Sequence, residues 1–415
     1  MTSKMVYWTR FVAILAISTP ALPALPALPA LPALLHAQSR PPREVPAPGW
    51  SPFTDSLKAY VTSQGVFGAS AVLVRNGLIV RHLEYGIADR DSMQKVNERT
   101  IYHWASVTKT LTAVAIMQLR DRGKLTLDDK VTTWVPELRQ VHNPYGSMDD
   151  ITIRMLLSHT SGFMDGTWPY GSGAPWQPFE PTRWEQLVAM MPYQQILYPP
   201  GSKSSYSNPA FIYLARIIEA ITGDPYQSYI QKNIWTPLGM TRSYFGTTPY
   251  FLAADRSNSY AIERDSTGRD TVVAYGRDFD PGITIPNGGW NAPLADVVTW
   301  VGFLTNATRG DTVLARRYAT VLKHGTLEEM WRPTPLTGGG VSPFGLSFTV
   351  DSLNGTTLVG HTGSQAGFRL FVALNPATTE AYIIAFNTAS DEAPDRGPFT
   401  AMMRSAAAML GFKAK

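Results

Sequence analysis

The sequence predicts an α/β fold of the α+β kind: an antiparallel sheet built from the N- and C-terminal segments, flanked by helices, with a mostly helical region inserted between them. Three observations predict it. Short β-rich runs separated by turn residues lie near residues 70–85 and again near 344–386. Helical periodicity fills six stretches between those ends. A composition of 44% hydrophobic and 16% charged residues over 415 positions can bury a core, which excludes disorder and collagen-like structure.

Residues 1–37 read as an address. Lys4 and Arg10 precede an apolar run over 11–17, and small residues follow as far as Ala37, which is the order of a secretory signal peptide. Export, periplasmic or secreted, is therefore expected. An uncleaved membrane anchor is the alternative, because apolar residues continue through five Pro-Ala-Leu units between Pro20 and Leu34. A proline at every third position cannot keep the hydrogen bonds a spanning helix needs in lipid, so no stable membrane span is expected once the leader is removed. Residues 38–50, with Pro41, Pro42, Pro46 and Pro48, read as a linker, and residues 51–415 as the folded domain.

A short helix over 53–63 opens that domain. Strands over 70–75 and 78–85 follow, joined by Asn76-Gly77, a type I′ hairpin signal. The middle predicts helices over 111–122, 153–157, 184–191, 210–221, 226–234 and 296–304, with Gly123 and Gly223 marking two of the ends. Strands are expected again over 344–350, 356–359, 368–374 and 381–386, and a last helix over 399–410.

Several function classes drop out. The net charge is only +4, and Lys4 and Arg10 contribute two of those charges, so a nucleic-acid partner is not expected. The chain has no cysteine, hence no disulfide, thiolate metal site or cysteine nucleophile. It has no G-x-S-x-G elbow, no H-E-x-x-H zinc helix, no G-x-x-x-x-G-K phosphate loop and no two histidines close enough to suggest a shared metal site. No metal or organic cofactor is expected.

A serine and a lysine remain. Ser106-Val107-Thr108-Lys109 opens a helical run, and the i, i+3 spacing sets both side chains on one face. A serine hydroxyl needs an adjacent base, while a lysine with its ordinary pKa of about 10.4 is protonated, so Lys109 must be sheltered to take the Ser106 proton. Free N–H groups in the first helical turn can stabilise an anion beside Ser106. Taken alone, the pair reads equally as a helix cap beside a solvated lysine. A second S-x-x-K, Ser92 to Lys95, sits in a polar stretch with no apolar helix after it and reads as a decoy.

Tyr206-Ser207-Asn208 lies in a loop after Pro199, Pro200 and Gly201. The Tyr206 phenol can shuttle protons, with nearby cations favouring the phenolate, and the Asn208 amide can hold both the lysine and a substrate amide. An ordinary turn is the plainer reading. His361-Thr362-Gly363 falls between two strand-like runs: His361 and Thr362 offer anchors for a carboxylate or carbonyl, Gly363 lets substrate backbone approach, and the Ser364 N–H could complete an oxyanion hole with that of Ser106. Two loops, 162–184 and 275–293, are candidates for the rim, with Trp168, Tyr170, Trp176 and Trp290 as apolar faces or as core. His159 is expected to hold a turn.

Together these elements resemble the serine β-lactamase and penicillin-binding-protein superfamily, in its class C-like branch of β-lactamases, D-alanyl-D-alanine peptidases, D-aminopeptidases and family VIII esterases. The resemblance spans residues 55–412 and includes Leu156-Leu157-Ser158-His159-Thr160-Ser161-Gly162, Pro237-Leu238-Gly239-Met240 and Asn287-Gly288-Gly289-Trp290. It implies that Ser106 is the acylated nucleophile, Lys109 its proton partner, Tyr206 the general base and acid, Asn208 the substrate-amide contact, and His361, Thr362 and Gly363 the third element. Class C β-lactamases generally carry lysine where this chain has His361. A histidine charged only part of the time near neutral pH would hold a substrate carboxylate more weakly than lysine.

The expectation is an exported serine hydrolase acting through a Ser106 acyl-enzyme on small amide or ester substrates, of D-amino-acid peptidase or carboxylesterase type. The rivals are a class C-like β-lactamase and a non-catalytic relative that binds penicillin or peptidoglycan fragments.

Overall fold

The computed structural model describes residues 46–166, 181–264, 269–278, 280–353, 355–390 and 397–412. The leader lies outside the described residues, as do Trp168, Tyr170 and Trp176.

Helix α1 (Trp50–Ser63) leads into β1 (Gly68–Arg75) and β2 (Leu78–Asp89), then the short β3 (Gln94–Lys95) and β4 (Ile101–Ala105). Asn76 and Gly77 both take positive φ, 51° and 68°, as a type I′ turn requires. The middle carries α2 (Thr108–Asp121), α3 (Val131–Trp134), α4 (Ile153–Leu157), α5 (Trp184–Met190), α6 (Pro209–Thr222), α7 (Tyr226–Ile230) and α8 (Thr236–Leu238). Then come β5 (Tyr244–Phe245), β6 (Ser259–Arg264), β7 (Asp270–Gly276), α9 (Ile285–Gly288), β8 (Trp290–Pro293), α10 (Leu294–Leu304), α11 (Thr312–Val321) and α12 (His324–Met330). The chain closes with β9 (Thr349–Leu353), β10 (Thr356–Gln365), β11 (Phe368–Asn375), β12 (Glu380–Phe386), β13 (Thr388–Ser390) and α13 (Pro398–Met409).

The main sheet has the order β3-β2-β1-β12-β11-β10-β9, so the two ends of the chain meet where β1 pairs antiparallel with β12, Val72 opposite Ile383. Side chains alternate across the strands. One face packs on α1 and α13 through Phe53, Leu57, Ile384, Phe386 and Met402; the other joins the helical region through Val359, Leu370, Val372 and Ile383. The predicted architecture therefore holds, with one strand misplaced: residues 344–348 form a turn, and the strand expected over 344–350 is β9, five residues later.

The segment 275–293, expected to be loop, contains two short helical turns and β8. The small sheet β4-β8-β5 and the β6-β7 hairpin escaped the sequence reading because their strands are short and interrupted by polar residues. β4 and β8 matter most, since they lie directly before the nucleophile loop and directly after α9.

Candidate active site

Helix α2 is buried along almost its whole length, from Thr108 to Leu119, so its polar side chains must find partners inside the protein. They do so against α9 and β8. Thr112 Oγ1 donates to the Pro286 carbonyl at 2.7 Å, and the Trp290 N–H donates to Thr108 Oγ1 at 3.0 Å. Lys109, fully buried, uses its Nζ three times: 3.1 Å from Ser106 Oγ, 2.8 Å from Asn208 Oδ1 and 2.8 Å from the Asn287 carbonyl.

Burial drives the Lys109 pKa well below that of an ordinary lysine, with the Asp165 carboxylate pulling the other way. A neutral amine has two N–H donors and one lone pair. Asn208 Oδ1 and the Asn287 carbonyl can only accept, so they take the two donors, and the lone pair is left to accept the Ser106 O–H. The three partners thus suit the form of Lys109 that can act as a base.

Ser106 lies one residue before Val107, the helix cap, and does not cap the helix. Ala105 before it sits at φ 45°, which turns the chain sharply from β4 and leaves the Ser106 hydroxyl facing Lys109. For an L-residue this conformation costs about 1 kcal/mol or more.

The tyrosine loop meets this pair from α6. Ser106 is close enough to the Tyr206 phenol to act on its ionisation, and Lys109 Nζ lies 4.8 Å from the centre of the phenol ring. The expectation of a cation-favoured phenolate is corrected: burial raises the Tyr206 pKa, so the resting group is the protonated phenol, suited to donate to an oxygen or a leaving group. His159 holds it there. Its ring stacks on Tyr206 at 4.4 Å, its Nδ1 accepts the Ser207 N–H at 3.1 Å, and its carbonyl accepts the Ser205 N–H at 2.8 Å.

Asn208 is more committed than expected for a substrate contact. Its Oδ1 serves Lys109 and also lies 3.3 Å from Asn287 Nδ2, while its Nδ2 donates to Asp165 Oδ1 at 3.1 Å. One amide hydrogen remains for a ligand. Asp165, an ordinary turn residue in sequence, was not singled out, and Asn287 was named only within a family-like segment and without a role; it meets Lys109 through its backbone carbonyl, which no side-chain pattern reveals, and Asn208 through its amide.

β10 supplies the third element. β9 pairs with it only from Thr356 to Gly360, so, among the described residues, positions 361–365 have a strand partner, β11, on one side only. The free edge can receive an extended substrate. Gly363 makes room for the protein's own chain: a Cβ there would stand 2.5 Å from the Trp104 carbonyl oxygen and 3.3 Å from Ala105 Cβ. An oxyanion hole from the Ser106 and Ser364 N–H groups would require an approach of this kind between β10 and β4.

His361 differs from the expected anchor. It is buried, and burial above all pushes its pKa down to about 3, so it is neutral near pH 7. Its Nδ1–H donates to the Thr362 carbonyl at 2.6 Å, leaving Nε2 a buried acceptor with no partner among the described residues. Thr362 and Ser364 are exposed and, by strand alternation, lie on the opposite face from His361 and Gly363. Trp290 is wholly buried against Trp104, ring centres 6.0 Å apart, so its side chain is core and not rim. The second S-x-x-K is not catalytic in its geometry: Ser92 bonds to Asp89 in a turn, and Lys95 is exposed on β3. Among the described residues no group of three or more His, Asp or Glu is arranged to hold a metal.

A family model described as Beta-lactamase matches residues 53–406. Among curated proteins, Protein flp of Staphylococcus aureus (strain COL) is 27% identical over 334 residues, covering 79% of this chain and 61% of its own length. The chain thus spans about three-fifths of that relative. Among solved structures, the octameric penicillin-binding protein homologue from Pyrococcus abyssi superposes with a TM-score of 0.68 at 23% identity, over 88% of this chain and 78% of that one. The D-amino acid amidase from Ochrobactrum anthropi SV3, complexed with L-phenylalanine amide, does so with a TM-score of 0.68 at 20% identity, over 87% and 97%. At these identities the structural likeness is one of fold.

Proposed function

The chain belongs to the beta-lactamase family, and from that premise we propose that it is a serine hydrolase working through a Ser106 acyl-enzyme on small amide or ester substrates. The observation that carries the reading is the buried Lys109 Nζ held between Ser106 Oγ, Asn208 Oδ1 and the Asn287 carbonyl. In this reading Lys109 accepts the Ser106 proton as Oγ attacks the carbonyl carbon. The Ser106 and Ser364 N–H groups receive the oxyanion, and the Tyr206 phenol gives its proton to the departing amine or alkoxide and is reprotonated through Lys109. Water then repeats the attack on the acyl-enzyme.

Neutral His361 favours D-amino-acid peptidase, amidase or carboxylesterase activity over efficient turnover of β-lactams, whose carboxylate finds no cation at that position. The test incubates the mature protein and Ser106→Ala with activated esters, D-amino-acid amides and a penicillin, following product and intact mass together. Turnover or an acyl adduct on wild type alone supports the reading. Equal turnover by Ser106→Ala overturns it, and rapid loss of penicillin without a lasting adduct would favour the β-lactamase instead.

Export belongs to the same proposal. It rests on the order of charged, apolar and small residues in positions 1–37. Sequencing the N-terminus of protein recovered outside the cytoplasm tests it.

A further inference from the structure

Asp165 stands at the outer end of a hydrogen-bonded line that reaches the nucleophile. Its Oδ1 accepts from Asn208 Nδ2 at 3.1 Å, and its backbone carbonyl accepts the Asn208 N–H at 3.2 Å, so it is tied twice to the tyrosine loop. Asn208 Oδ1 meets Lys109 Nζ at 2.8 Å, and Nζ meets Ser106 Oγ at 3.1 Å. Unlike buried Lys109 and His361, Asp165 reaches the surface, although partial desolvation raises its carboxyl pKa against the pull of Lys109. Its charge acts on both Lys109 and Tyr206.

The resulting field has a definite sign. Lys109 is buried with its proton disfavoured, and His361 is buried and neutral, so neither presents a cation to an incoming carboxylate. Among the described residues, the exposed charge hydrogen-bonded into the nucleophile network is the Asp165 carboxylate. A charge near the reaction centre discriminates between otherwise matched ligands by attracting one sign and repelling the other.

We propose that Asp165 is a specificity-determining residue that selects acyl donors carrying an ammonium group close to the scissile carbonyl, such as amides, peptides or esters with a free α-amine, over donors carrying a carboxylate there. The inference rests on the reading that Ser106 is acylated, and it adds the substrate class. A docked ammonium also neutralises the carboxylate that works against the discharge of Lys109, leaving burial unopposed, so the preference extends to kcat as well as KM.

The test uses three thiobenzyl esters of glycine that differ only at the amine: free, N-acetylated and N-succinylated. They present a cation, no charge and an anion. The readout is the ratio of kcat/KM between them, because effects of a substitution common to all three cancel. Wild type should favour the free amine over the acetyl ester by about fivefold or more, the scale of one partly screened ion pair. Asp165→Asn, which can still accept from Asn208, should bring that ratio close to one, and Asp165→Lys should turn the preference toward the succinyl ester. Ratios that stay the same in all three proteins, with turnover still dependent on Ser106, overturn the role of Asp165 and leave the serine hydrolase standing. Absence of Ser106-dependent turnover of every ester overturns both.

Discussion

Gly363 lies directly against Trp104: a Cβ on Gly363 would stand 2.5 Å from the Trp104 carbonyl oxygen, closer than any real side-chain carbon sits to such an atom. The backbones of β10 and β4 therefore touch two residues before Ser106, and the oxyanion hole proposed for the Ser106 and Ser364 N–H groups relies on that approach.

Gly363→Ala should separate the two strands. Because the clash is with backbone, relief requires the strands to shift, and overpacking of this kind costs about 1 to 3 kcal/mol. A lower denaturation midpoint is expected together with a loss in kcat of about a hundredfold, the scale of one removed oxyanion donor. Wild-type kcat in a folded Gly363→Ala protein would show that the approach is not needed for chemistry.

Lys109→Met should lower kcat by about a hundredfold or more, the usual scale for a lost general base, while the protein still folds. The substitution also removes a buried amine whose protonation folding disfavours, so stability should depend less on pH. The sign follows from linkage. Below about pH 10.4 the unfolded lysine carries a proton that the native one binds poorly, so wild-type stability rises with pH across that window and the slope should flatten in Lys109→Met.

His361→Gln should blunt acid destabilisation. The folded pKa of about 3 lies below the unfolded value of about 6.5, so between these the unfolded chain takes up a proton that the native protein refuses, and stability falls as pH falls. From pH 7 to 4 this one group accounts for up to about 3 kcal/mol. Urea midpoints should fall less steeply with falling pH in His361→Gln than in wild type across that range. Parallel curves would mean that His361 keeps its ordinary titration in the folded protein.

His159 separates into two parts. His159→Asn keeps an acceptor for the Ser207 N–H but loses the ring stacked on Tyr206, whereas His159→Phe keeps a ring and strands the N–H, at a cost of about 1 to 3 kcal/mol. The Phe variant should be the less stable, and both should lower kcat more than they raise KM, since neither touches the surface a substrate first meets. Steady-state rates and thermal midpoints on the same preparations check this.

The sequence alone determined what is local. The hairpin at Asn76-Gly77 was legible because only a few residues accept two successive positive φ values, and helix α2, though not its all-round burial, because its apolar residues recur at helical spacing. The pairing of Ser106 with Lys109 followed from a three-residue spacing on one chain segment. The placement of Tyr206, Asn208 and His361 near them came from resemblance and not from local pattern.

Tertiary structure decided how each group is charged and whom it faces. Desolvation and charge depend on every neighbour at once, so the discharge of Lys109, the protonated phenol of Tyr206 and the neutrality of His361 arise from burial that no spacing encodes. The same holds for partners that act through backbone or through space. Asn287 contributes a carbonyl and Asp165 an exposed carboxylate, and each acquires its place only when α9 and the loop after Gly162 are packed against α2 and α6. Trp290 made the contrary case: an aromatic beside the site in sequence became core because its strand turns the ring toward Trp104 and away from solvent.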